Sequence, residues 1–247
     1  MSAVTTTYIF HTIGTLGREH VLRAVESMNR QNFKWKNLVI HVAGGPVPPI
    51  ELLDLIDTTR FEQVSILPTD WLDLPTVAND WYKQMRWLQG TDRYLSHKAD
   101  FYLADGVCEA FDALPSDGPW FLLFNKFDMK SRATIEDIRK YASLPWDKAC
   151  RLRTTGTYEE HLGKLAVPFD QRLMTDGTMH GYTDAARELY TPSDEELKMR
   201  WGVAESLRDL QRKIPFIYDE RFFACHMWHE SPDRTDWNKN MSPEERF

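Results

Sequence analysis

The sequence predicts an α/β fold, a single domain with a mostly parallel sheet flanked by helices. Three observations lead there. The stretch Tyr8 to Gly45 reads strand, turn, helix, strand. Further short β-favouring runs, Gln63–Leu67 and Trp120–Phe124, are separated by helical patterns. The 247 residues are 42% hydrophobic and 27% charged, which suits a chain that buries a full core.

The opening unit is the clearest. Tyr8–Ile13 is apolar and β-favouring, and Gly14 and Gly17 punctuate the turn after it. Val21, Leu22, Val25 and Met28 recur at helical spacing on one face. Asn37–Val42 is the second strand, closed by Ala43-Gly44-Gly45. A unit this short implies parallel strands joined by a right-handed crossover. Ligands of open α/β sheets sit beyond the carboxyl ends of such strands. Here those ends are His11-Thr12 and His41 to Gly45.

The elements that follow read in order. A stiff Pro46-Val47-Pro48-Pro49 loop precedes a helix over Ile50–Thr58, and the strand Gln63–Leu67 ends at Pro68-Thr69-Asp70. Asp80–Gln89 reads as an aromatic helix, and Arg93 to Leu114 as one long helix. Pro115 to Pro119 breaks the chain before Trp120–Phe124, a continuous apolar run expected to be a buried central strand. It leads into Asn125-Lys126-Phe127-Asp128. Ala133–Tyr141 reads as a helix capped by Thr134 with Asp137 three residues on. Leu144 to Leu173 is irregular, and a polar segment with Gly181-Tyr182 and Asp184 follows. Ser193 caps a helix expected from Asp194 to Lys213. The apolar run Phe222–His229 ends in His226-x-x-His229, and imidazoles so placed suit a metal or a general base. The domain is expected to span 1–230, with 231–247 as a tail or lid.

Composition narrows the classes. A net charge of −7 disfavours a broad nucleic-acid-binding surface. Cys108, Cys150 and Cys225 are isolated, lack metal spacing and cannot all pair, which points to a reduced, cytoplasmic setting. No signal peptide is read at the N-terminus, and no apolar run approaches the ~18–20 residues of a membrane span. Aromatics make up 13% of the chain, with nine Trp; such rings suit sugar or base stacking, though most are expected in the core.

The segment Ser27 to Ile40, with Ser27, Gln31, the aromatic Phe33 and an apolar strand after it, resembles the opening of family 2 glycosyltransferases. The resemblance covers about a sixth of the chain and implies a GT-A-like, nucleotide-sugar-dependent transferase. Where relatives carry acids after the second strand, this chain has His41-Val42-Ala43-Gly44-Gly45; Gly44 and Gly45 still allow close backbone approach to a nucleotide. The resemblance implies that Asp70 contacts the base, and that Arg93 and Lys98 lie under the donor. It also implies that the strand ending at Phe124 delivers an Asp-x-Asp motif. Only Asn125 and Asp128 remain of its oxygen donors, with Lys126 as an alternative source of positive charge. A late histidine, His226 or His229, would join Asp128 on a divalent cation, Mn2+ or Mg2+. Trp201-Gly202 with Glu205 resembles the relatives' catalytic element, one residue out of step, and Ser206 stands where a second acid is usual. Asp209 lies one turn beyond Glu205 on the same helix face.

These readings combine into one expectation: metal-dependent, inverting transfer of a sugar from a nucleotide-diphosphate sugar to an acceptor hydroxyl. Glu205 or Asp209 would be the base. His11, Thr12, Gly44, Gly45, Asp70, Arg93, Lys98, Asn125 and Lys126 would hold the donor. Asp128, His226 and His229 would hold the metal. The acceptor stays open between a glycan, a lipid-linked sugar, a small molecule, a protein and a hydroxylated nucleobase in DNA. The basic set Lys198, Arg200, Arg208, Arg212 and Lys213 keeps the last in play. Two rivals are a metal-dependent hydrolase or nucleotidyltransferase, and a nucleotide-sugar-binding protein without catalysis.

Overall fold

The computed structural model describes residues 3–13, 16–43, 47–68, 88, 90–154, 166–169, 179–189 and 212–229. Among them the chain forms one mixed α/β domain. Strand β1 (Thr6–Ile13), helix α1 (Arg18–Asn29) and strand β2 (Trp35–Ala43) form the first unit, and β1 and β2 pair in parallel. Helix α2 (Pro49–Leu55) and a 3-10 turn (Thr58–Arg60) lead to β3 (Phe61–Pro68), again parallel to its neighbour β2.

The next segment corrects the expected long helix over 93–114. The chain there is strand β4 (Arg93–Lys98), strand β5 (Phe101–Leu103) and short helix α3 (Val107–Asp112). All six residues of β4 are buried, so the strand shows no alternation of apolar and polar residues. A strand covered on both faces loses the period-2 signal that separates it from a helix. Gly106 enters α3 at φ 80°, a left-handed conformation that suits glycine.

Strand β6 (Phe121–Leu123) passes directly into β7 (Asn125–Met129), and the chain changes sheets at Phe124. Helix α4 (Ile135–Ala142) carries the expected capping box, with Thr134 and Asp137 each bonding the other's backbone N–H. The stretch expected to be irregular contains helix α5 (Trp146–Thr154) and strand β8 (Ala166–Phe169). Then come β9 (His180–Thr183), helix α6 (Asp184–Leu189), β10 (Phe216–Ile217) and β11 (Phe223–His226). No helix among the described residues is long and apolar enough to cross a membrane.

The main sheet has seven described strands in the order β10-β6-β9-β4-β1-β2-β3, and β9 alone runs against its neighbours. β6 therefore lies second from one edge rather than at the centre. From β1 the chain moves outward through β2 to β3, then returns to place β4 on the other side of β1. The connections diverge between β1 and β4, and the crevice at the carboxyl ends of such a strand pair is where open α/β sheets bind ligands. A smaller sheet, β5-β11-β7-β8, stands beside it.

Each face of the main sheet has its own core. Tyr8, Phe10, Leu38, Ile40 and Leu95 pack with Val21, Val25 and Met28 of α1. Ile9, Val39, Tyr94, Phe121 and Tyr182 form the second cluster. The first core closes tightly over β9. A Cβ added at Gly181 would lie 2.5 Å from Phe111 Cε2. Gly181→Ala therefore has to displace a buried ring, and a loss of about 1–3 kcal/mol is expected in urea unfolding. Gly181→Ala combined with Phe111→Leu should recover part of that loss.

Candidate active site

The carboxyl end of β4 carries two adjoining polar groups. On one side of the sheet, Ile9, His11, Val39, His41, Tyr94, Ser96 and Lys98 share a face, as the parallel registers His11↔His41 and His11↔Lys98 require. His11 Nδ1 lies 2.9 Å from His41 Nδ1, and His11 Nε2 lies 2.8 Å from Ser96 Oγ. His180, opposite Ser96 on β9, belongs to the same buried group. Two ring nitrogens in hydrogen-bond contact share one proton, so at most one of the two Nδ1 atoms is protonated. Burial is the main cause that holds His11 well below the usual histidine range; the neighbouring His41, His180, Lys98 and His97 push the same way.

The second group lies where the chain leaves β4. Asp100 occupies the two-residue link between β4 and β5, and the residue is buried, 7% exposed. Its backbone carbonyl accepts from Met227 N at 2.8 Å, which draws the end of β11 onto the link. His226 Nε2 and His229 Nε2 each lie 3.3 Å from Asp100 Oδ2. Asp100 Oδ1 is buried and has no hydrogen-bond partner among the described residues. His226 is held three ways: its ring stacks on Phe101 at 4.8 Å, its Nε2 faces Asp100, and its Nδ1 lies 2.9 Å from Asp128 Oδ1. Lys126 Nζ lies 3.0 Å from that same Asp128 oxygen.

The electrostatics follow from this layout. Burial pushes the Asp100 carboxyl up, but hydrogen bonds from His226 and His229 more than offset it and hold the group well below the usual range. Burial pushes His226 down, and its contacts with Asp100 and Asp128 outweigh that, leaving it above the usual histidine value. Both carboxylates can only accept, so an imidazole bonded to both carries a proton on each nitrogen. Burial likewise raises Asp128, and His226 and Lys126 bring it below the usual range.

The structure sorts the residues singled out from sequence. His11, Lys98, His226 and His229 lie at the carboxyl end of the β1–β4 pair; Thr12 is buried beside them on β1. Asn125 opens β7 and is buried. Asp128 and Lys126 pair with each other beside His226, and Asp128 is outside the set of three that can share an ion, Asp100, His226 and His229. Arg93 is corrected. It begins β4, at the opposite end from Lys98, and its Nη1 donates to the carbonyls of Phe111 (2.9 Å) and Leu114 (2.8 Å). It clamps the end of α3, about 16 Å along the strand from the site. Gly44, Gly45, Asp70, Glu205 and Asp209 lie outside the described residues, as does the tail 231–247. Asp100 is the site residue that sequence reasoning missed. The run Leu95-Ser96-His97-Lys98-Ala99-Asp100 carries no β pattern that would have placed Asp100 at a strand end.

The class this architecture defines is the GT-A-type α/β fold. Solved structures of S. aureus TarS share it. The form spanning residues 1–349 is 12% identical, with a TM-score of 0.52 over 98% of this chain and 68% of that one. The same form in complex with UDP-GlcNAc is 12% identical, with a TM-score of 0.51 over 94% of this chain and 61% of that one. At such identity the likeness is one of fold. No protein-family model and no curated protein matches the chain.

One buried histidine near the site gives a pH test. His97 Nε2 must donate to the carbonyl of Phe101 at 2.8 Å, so its Nδ1 accepts from the Tyr8 hydroxyl at 2.6 Å. Burial is the main reason its pKa falls to about 4. The unfolded chain takes up this proton near pH 6.5, before the folded one does. The stability that neutral His97 contributes is therefore full above about pH 6.5 and lost as the pH falls toward 4. Urea unfolding from pH 7 to 4 should show wild type losing about 3 kcal/mol relative to His97→Gln. Parallel pH profiles for the two proteins would contradict this.

Proposed function

We propose that the chain transfers a sugar from a nucleoside-diphosphate sugar to an acceptor hydroxyl, with a divalent cation held by Asp100, His226 and His229. The observation that carries this reading is the buried Asp100 carboxylate at the β1–β4 divergence. It is faced by two imidazoles, and its Oδ1 has no partner among the described residues. The donor set, one hard oxygen and two borderline nitrogens with ligand atoms within 4.8 Å of one another, suits Mn2+ better than Mg2+, which favours all-oxygen ligands. When bound, such a cation offsets the charge that builds on the departing diphosphate.

The chain's own residues supply the rest. Lys98 brings positive charge, and the His11–His41 pair ring nitrogens, to the adjoining face, where a diphosphate and ribose would lie. Thr12 and Asn125 offer further polar contacts at the strand ends. Gly44, Gly45 and Asp70 are proposed for the nucleoside, and Lys126 acts indirectly, through Asp128. Glu205, or Asp209 one turn on, is proposed to take the acceptor proton. The TarS complexes with UDP and UDP-GlcNAc make uridine donors the first to test here. The acceptor is a glycan, a small molecule or a hydroxylated nucleobase.

Two measurements test the proposal. In thermal unfolding, a donor at about 100 times its Kd stabilises by ~2.7 kcal/mol. UDP-sugars with Mn2+ should give a shift of that order, and EDTA or Asp100→Asn should remove its metal-dependent part. Equal shifts with Mn2+ and with EDTA, unchanged in Asp100→Asn, would rule out the cation. For the base, Glu205→Gln should lower kcat by at least ~100-fold and leave donor affinity unchanged. If Glu205→Gln and Asp209→Asn both keep kcat, the base lies elsewhere.

A further inference from the structure

The cation site proposed above has a supporting pair behind it. We propose that Asp128, pinned by Lys126, is a positioning residue: it holds the His226 ring so that Nε2 is presented to the ion. This rests on the reading of Asp100, His226 and His229 as the cation ligands.

The geometry assigns the roles. An imidazole binds an ion through one nitrogen, and the other is then a donor that needs an acceptor. In His226 the nitrogen turned toward Asp100 and His229 is Nε2, and the nitrogen turned away, Nδ1, lies 2.9 Å from Asp128 Oδ1. The backbone enforces this arrangement. Strands β7 and β11 are parallel with Asp128 in register with His226, so the two side chains leave the small sheet side by side. The Asp128 oxygen that meets His226 also receives Lys126 Nζ at 3.0 Å, so two donors already occupy it. A cation placed on that oxygen would have to stand beside the lysine ammonium. Asp100 differs: its Oδ1 is buried with no hydrogen-bond partner among the described residues, and its Oδ2 meets two imidazoles rather than an ammonium. One carboxylate of the pair is placed to bind, the other to orient.

Isothermal titration of the full chain with Mn2+ tests this, with a melting temperature recorded for each variant. Wild type should bind, and Asp100→Asn should abolish binding as loss of a ligand does. Asp128→Ala should weaken affinity by about 10–100-fold, the usual effect of removing an outer partner of a ligating histidine. Asp128→Asn keeps an oxygen for the Nδ1–H and should recover most of that loss. Two results would overturn the positioning role: Asp128→Ala binding as wild type does, or Asp128→Asn losing binding as completely as Asp100→Asn. The second would make Asp128 a ligand. Failure of wild type itself to bind Mn2+ would instead overturn the cation site, and this role with it.

Discussion

A carboxylate taken out of water costs several kcal/mol unless charge and hydrogen bonds replace its hydration. Asp100 is such a group, and much of the surrounding structure is arranged to tolerate it. The Asp100 carbonyl receives the backbone N–H of Met227, and that bond brings His226 and His229 to the same carboxylate oxygen, Oδ2. His226 is then anchored from behind by Asp128, and Asp128 by Lys126. The chain of alternating charge runs from one buried acid to a lysine 13% exposed, so the desolvation cost is shared along a path that reaches solvent. A set of groups this closely matched leaves one oxygen, Asp100 Oδ1, without a hydrogen-bond partner among the described residues.

The fold explains why the acid is there. β4 enters beside β1, on the side away from β2, and its carboxyl end opens where the connections of the sheet diverge. The small sheet then presents β11 and β7 to that opening, so Asp100 and His226, far apart in sequence, converge. Lys98 stands two residues before Asp100, in register with His11, which burial keeps from charging readily. The proposed cation ligand Asp100 and the basic Lys98 thus share the end of a single strand, as a nucleotide diphosphate with its metal would require.

What could be read from the residues depended on how each element is buried. Helix α1 has one buried face, so Val21, Val25 and Met28 announced it, and the Thr134–Asp137 capping box was visible from side-chain chemistry alone. β4 is buried on both faces, and its run of Arg, Tyr, Leu, Ser, His and Lys carries neither period. Reading it as helix hid the strand end and with it Asp100. The late histidines were conspicuous because His-x-x-His closes an apolar run. Their partner was sought at Asp128, which is in fact beside His226 but on its far nitrogen. Sequence spacing cannot distinguish the two nitrogens of a ring; strand register can. Arg93 illustrates the same limit, since a buried arginine near a site in sequence can serve the opposite end of the strand.

The proposed cation site joins Asp100, His226 and His229 at the mouth of the sheet. Anomalous diffraction at the manganese edge, from crystals grown with Mn2+ and UDP, tests it most directly. A single strong peak is expected, bonded to an Asp100 carboxylate oxygen and to the Nε2 atoms of both histidines, with Asp128 still on His226 Nδ1. A peak bonded to Asp128 instead, or UDP bound at the strand ends with no peak beside Asp100, would contradict it.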